Sequence, residues 1–146
     1  MPPPCKACQN SSEASRFLKS QGIRITELRR NVLKFLHHSK QPVGAYDLFD
    51  QLKSNGKASA PPAVYRVLDF LVDQGLAHKL RSISAYTACC NGPKSHKAAF
   101  LICRLCGDVQ ELVQPNAPPL HSQAKQQDFQ VENVTLELTG LCGACQ

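Results

Sequence analysis

The chain has 146 residues, eight of them cysteine, and a formal net charge of +6 at pH 7. That length suits one ordinary domain or two small ones, and no stretch approaches the ~18 consecutive apolar residues of a membrane span. The opening Met1-Pro2-Pro3-Pro4-Cys5 lacks the apolar core of a secretory signal, so a cytoplasmic location is expected, where paired cysteines more often hold metal than form disulfides. The charge is uneven: residues 1–90 hold 13 Lys/Arg against 6 Asp/Glu, whereas residues 91–146 hold 4 against 5. Three segments are expected: a flexible tail over 1–10, a basic module over 11–90 suited to phosphate, and a second module over 91–146.

In chain order, Cys5 and Cys8 form a Cys-x-x-Cys pair in the tail, half a metal site with no assigned role. Ser11 or Ser12 caps a helix to about Ser20, ended by Gly22. Thr26 caps a second helix with Leu28, Val32, Phe35 and Leu36 on one face and Arg29, Arg30 and Lys34 off it. After Gly44, the residues Ala45, Leu48, Phe49 and Leu52 repeat at helical spacing, and Gly56 supplies the stop. A fourth helix opens on Pro61-Pro62 and runs to Gly75. Its apolar stripe is Val64, Val67, Leu68, Leu71 and Val72, while Tyr65, Arg66 and Asp69 fall together on the far side.

An arginine and an aromatic near the start of an exposed helix suit the DNA major groove, the Arg by a bidentate contact to guanine and the Tyr against a thymine methyl or a phosphate. The period then turns extended, with strands over Leu76–Arg81 and Ala85–Cys90 around a turn near Ser82-Ile83-Ser84. Three helices followed by a hairpin form a winged helix-turn-helix. The remainder reads as strands over Ala98–Ile102 and Asp108–Leu112, a helix over Pro119–Gln127 and a long alternating strand over Gln130–Thr139. The predicted class is therefore α+β, with a small α/β second domain.

Two further Cys-x-x-Cys pairs, Cys103/Cys106 and Cys142/Cys145, each have a glycine beside or inside them. Four thiolates close a tetrahedral zinc shell with no open position, the pattern of a structural site. Two disulfides or free buried thiols are the plainer alternative. A second set of ligand types, His78, Cys89, Cys90, His96 and Glu111, suits a mixed N/S/O zinc site. The hairpin turn decides which cysteine joins His78. A two-residue turn sets His78 opposite Thr87 and on the face of Cys89; a three-residue turn favours Cys90.

The segments Tyr46-Asp47-Leu48, Pro62-Ala63-Val64-Tyr65-Arg66-Val67-Leu68-Asp69-Phe70-Leu71, Gly75-Leu76-Ala77-His78-Lys79, Ile102-Cys103-Arg104-Leu105-Cys106-Gly107 and Leu141-Cys142-Gly143-Ala144-Cys145 together resemble the ferric uptake regulator family, in its zinc uptake regulator branch. The likeness spans roughly residues 14–145. It implies a homodimeric repressor of zinc uptake genes that binds a double-stranded DNA operator, through a winged-helix domain and an α/β dimerisation domain. It further implies two zinc ions per subunit: a structural one on Cys103, Cys106, Cys142 and Cys145, and a regulatory one on His78, Cys89, His96 and Glu111 that sets the angle between domains. Tyr65, Arg66 and Tyr46 would contact DNA. The family's usual Thr-Pro-Gln-Arg is Thr26-Glu27-Leu28-Arg29 here, and only His96 remains of the His run typical of the iron branch. No nucleophile–base–acid set stands out, so neither an enzyme nor a small-molecule substrate is expected. The competing readings are a zinc buffer or interaction module without regulated DNA binding, and a Cys-x-x-Cys thiol oxidoreductase.

Overall fold

The computed structural model describes residues 11–39, 41–57, 60–89, 98–113, 119–132 and 134–146. The chain divides into two compact units, residues 1–94 and 95–146. The expected tail over 1–10 and the expected boundary after residue 90 lie outside the described residues.

The first unit begins with α1 (Ser11–Ser20) and α2 (Glu27–His38). Gly22 closes α1 in the left-handed region at φ 69°, where glycine meets no Cβ penalty. Thr26 caps α2, its hydroxyl accepting the Arg29 N–H at 3.3 Å. Helices α3 (Ala45–Ser54) and α4 (Pro61–Asp73) follow, with prolines at the first two positions of α4, where no backbone donor is needed. All four apolar residues expected to face inward from α3 are buried, as are Val64, Val67, Leu68 and Leu71 of α4. On α2 the buried residues are Val32, Leu33 and Leu36, while Leu28 and Phe35 are only partly covered. The helix packs against α1, α3, α4 and the second hairpin strand, so its buried arc is wider than the narrow stripe expected from spacing.

Strands β1 (Ala77–Leu80) and β2 (Ala85–Ala88) form the antiparallel wing, with His78 opposite Thr87 and Leu80 opposite Ala85. Ser84 N–H donates to the Arg81 carbonyl at 3.4 Å, so the turn is the two-residue one, Ser82-Ile83. A bridge between Val43 and Tyr86 ties the segment before α3 to the wing.

The second unit holds β3 (Ala98–Cys103), β4 (Val109–Val113), α5 (Leu120–Gln126) and β5 (Leu136–Gly140). The sheet order is β4-β3-β5, with β3 antiparallel to β4 and parallel to β5. The strand expected over Gln130–Thr139 is shorter and later. Among the described residues its ladder with β3 runs from Ala99 opposite Leu136 to Cys103 opposite Gly140.

Candidate metal centres and nucleic-acid interface

Cys103 ends β3 and Cys106 lies in the turn that leads into β4. Gly107, at φ 73°, completes this turn and donates its N–H to the Cys103 carbonyl at 3.0 Å. The Arg104 N–H donates to the Gly140 carbonyl at 2.9 Å, which ties the first knuckle to the end of β5. Cys142 and Cys145 follow at once, with Cys145 N–H donating to the Cys142 carbonyl at 2.9 Å. The result is a cluster of four sulfurs, all within 4.8 Å of one another. The Cys106 and Cys142 sulfurs are 3.7 Å apart. A zinc tetrahedron with bonds of about 2.3 Å has sulfur–sulfur edges of about 3.8 Å. None of the four is in a disulfide, so the two-disulfide alternative does not hold.

The backbone N–H groups of Cys106, Cys142 and Leu105 pull the Cys103 thiol down to about 6, the Cys142 N–H at 3.4 Å among them. The Cys142 and Cys106 sulfurs push Cys145 up to about 12. Asp108 N–H draws Cys106 down, but the Cys103 sulfur, burial and the Cys142 sulfur leave it raised. Four thiolates in this space repel one another, and a divalent cation is what relieves that repulsion. The donor set fits zinc.

The wing builds the second group. His78 on β1 and Cys89, one residue beyond β2, present their ligand atoms within 4.8 Å of each other. Cys89 is buried and is held by its N–H to the Leu76 carbonyl at 3.0 Å, which extends the hairpin ladder. The two-residue turn therefore puts Cys89 on the face of His78. Cys90 and His96 lie outside the described residues. Glu111 stands on β4 of the second unit, opposite Phe100.

On α4, Tyr65, Arg66 and Asp69 are exposed on the side away from the core. Tyr46, in the first turn of α3, is 66% exposed and meets the Tyr65 ring edge-on, with centroids 6.0 Å apart and planes at 81°. The pair costs little chain entropy to hold and presents two hydroxyl-tipped rings beside one arginine.

The model of the ferric uptake regulator family matches residues 20–139, most of the chain. The protein belongs to the ferric uptake regulator family. It is similar to the zinc uptake regulation protein of Escherichia coli (strain K12), at 33% identity over 136 residues, 92% of this chain and 80% of that protein. A zinc uptake regulator complexed with zinc and DNA matches at TM-score 0.87 and 32% identity, over 96% of this chain and 95% of that one. The crystal structure of holo XcZur matches at TM-score 0.85 and 39% identity, over 95% and 98%.

As a ferric uptake regulator family member, the chain keeps the helix-turn-helix pair α3–α4 and the wing, and it carries its four-cysteine cluster in the C-terminal unit. Spacing missed one feature of this surface. Arg29, expected among the outward cations of α2, instead lies with its guanidinium carbon 3.7 Å from the centre of the Phe70 ring. An i, i+4 relation between Arg66 and Phe70 was visible in the sequence, but the cation that covers the ring comes from another helix.

Proposed function

We propose that the protein is a zinc-responsive, DNA-binding transcriptional repressor of zinc uptake genes that acts as a homodimer. The observation that carries this reading is the wing, where one hairpin holds the His78/Cys89 ligand pair and follows directly from the helix displaying Tyr65 and Arg66. A metal at the base of that hairpin stands in the same folded unit as the groove-reading face.

In this proposal the Cys103, Cys106, Cys142 and Cys145 set holds a structural zinc, and His78, Cys89, His96 and Glu111 hold a regulatory one. Bound zinc would supply a fixed set of bonds among these groups. A thiolate with imidazole and carboxylate donors suits zinc better than the hard cations. Zinc held there would set the angle between the two units and so the spacing of two reading helices in a dimer, which must match half-sites along DNA. Dimerisation is supported by Leu101, Leu112 and Leu138, exposed large apolar residues that the ladder puts on one face of the β4-β3-β5 sheet.

Driving a population from 1:99 to 99:1 requires zinc to favour the binding state by about 5.5 kcal/mol. By linkage, operator DNA tightens zinc binding by the same factor that zinc tightens DNA binding. The test is a zinc titration of the full chain against a duplex selected by it from a random pool. Zinc should tighten binding to that duplex and leave random DNA weak. Equal affinity with and without regulatory zinc overturns the reading, and zinc uptake without any duplex preference points to a buffer instead.

A further inference from the structure

Arg29 is held at three points. Its backbone N–H is capped by the Thr26 hydroxyl, its Nη1 donates to the Arg24 carbonyl at 2.9 Å, and its guanidinium stacks on Phe70. These contacts join the α1–α2 connection, the start of α2 and the C-terminal half of α4.

The position of Phe70 on α4 gives the contact its significance. At about 100° per residue, Arg66 and Phe70 are separated by about 40° around the helix. Phe70 is therefore on the border between the reading face and the buried stripe, next to Val67 on one side and Arg66 on the other. The stripe of Val64, Val67, Leu68 and Leu71 holds α4 against the core, but apolar contacts are non-directional and resist rolling weakly. A planar cation stacked on a ring at the border of that stripe, and tied by a directed hydrogen bond to another segment, resists roll. The magnitude matters for reading bases. With side chains about 6 Å from the helix axis, a roll of about 10° moves a side chain by about 1 Å. That exceeds the roughly 0.5 Å range of good hydrogen-bond lengths.

We infer that Arg29 is a positioning residue for base recognition: stacked on Phe70 and bonded to the Arg24 carbonyl, it fixes the roll of α4 and so the aim of Arg66 and Tyr65. Its role is orientation rather than a phosphate contact. The guanidinium suits it because a plane can stack and donate at once, which the point charge of a lysine cannot. The inference rests on the DNA-binding reading given above.

The test measures zinc-loaded full-length protein against two probes, the duplex that wild type selects from a random pool and a scrambled duplex of equal length, over a range of salt. Arg29→Met should lower affinity for the selected duplex about tenfold, in the range of one misplaced bidentate contact. The scrambled duplex should bind unchanged, and the slope of log affinity against log salt should not move. Arg29→Lys should not restore the loss. Phe70→Leu should reproduce it with the Arg29 charge still present, and it decides the matter if Arg29→Met does not fold. Equal loss on both duplexes with a slope smaller by about 1 identifies a phosphate contact and overturns the inference. So does rescue by Arg29→Lys, or a Phe70→Leu protein with full selectivity. If wild type selects no duplex, the DNA-binding reading itself falls, a result distinct from selective binding that the variants leave untouched.

Discussion

His37 lies in the last turn of α2 with Nδ1 shut off from solvent and without a partner among the described residues, and burial holds its imidazole below the ordinary 6.5. The folded unit prefers the neutral ring, so in acid the unfolded chain binds the proton first. Stability is unaffected above pH 6.5, where both states are neutral. It falls as the pH drops below that value, until the folded-state ring also protonates. Urea midpoints at pH 5 and pH 7.5 should therefore differ less for His37→Gln than for the native protein; an equal difference would show that His37 carries none of it. At the reading face, Arg66→Ala should cost about 1–3 kcal/mol in binding to the selected duplex and relax base preference at one position, by competition against single-base variants. Uniform weakening across all variants would make Arg66 a backbone contact. The helical spacing of the apolar residues made the outward placement of Arg66 and Tyr65 legible. Arg29 was not, because its partner Phe70 comes from a helix more than thirty residues away in sequence.

The wing shows how an element takes its register from distant residues. Turn chemistry at Ser82-Ile83-Ser84 allows either loop length, so the local sequence left Cys89 and Cys90 as alternatives. The structure decides through burial: Ala77, Tyr86 and Ala88 share one face of the hairpin and enter the core cluster, and Val43 pairs with Tyr86 from outside the hairpin. A one-residue slip would turn residues of that face away from the core. Inserting one Gly after Ile83 should therefore lengthen the tip, keep the register and preserve the zinc response. Inserting one Gly between Ala88 and Cys89 should turn the thiol away from His78 and abolish the response, while the four-cysteine zinc stays bound. Zinc stoichiometry with duplex binding reads both, and loss of response in the tip insertion would mean that the turn, not the buried face, sets the register. The same dependence on partners explains α3 and β5. The α3 stripe was legible because a single face meets the core, whereas alternation over Gln130–Thr139 overstated β5 because strand length is set by what lies alongside.

At the scale of the whole molecule, the two units are stabilised by different means. The first buries residues from four helices and both wing strands in one apolar cluster. In the second, the buried residues among those described, Ala99, Phe100, Ile102 and Cys103, all belong to β3, and α5 buries none. A seven-residue helix has little stability of its own in water, and a core this small depends on added constraints. The four thiolates supply one, since Arg104 and Cys142 already join the chain end to β3 and a zinc ion would lock that junction. Structural zinc contributes an apparent ~10–16 kcal/mol in zinc-finger peptides at neutral pH. Stripping the metal with a strong chelator, or replacing Cys142 by Ser, should therefore split denaturant unfolding into two transitions. Hydrogen exchange should speed first in β3, β4 and β5, while amides of α2, α3 and α4 stay protected, and the dimer should dissociate in step with the early transition. Because Cys103 is held near 6 and Cys145 near 12, zinc uptake at pH 7.5 must expel protons chiefly from the raised thiols, and affinity should fall with acidification. A single unfolding transition unchanged by chelation, with protection lost evenly across both units, would show that the cluster is not what holds the second unit together.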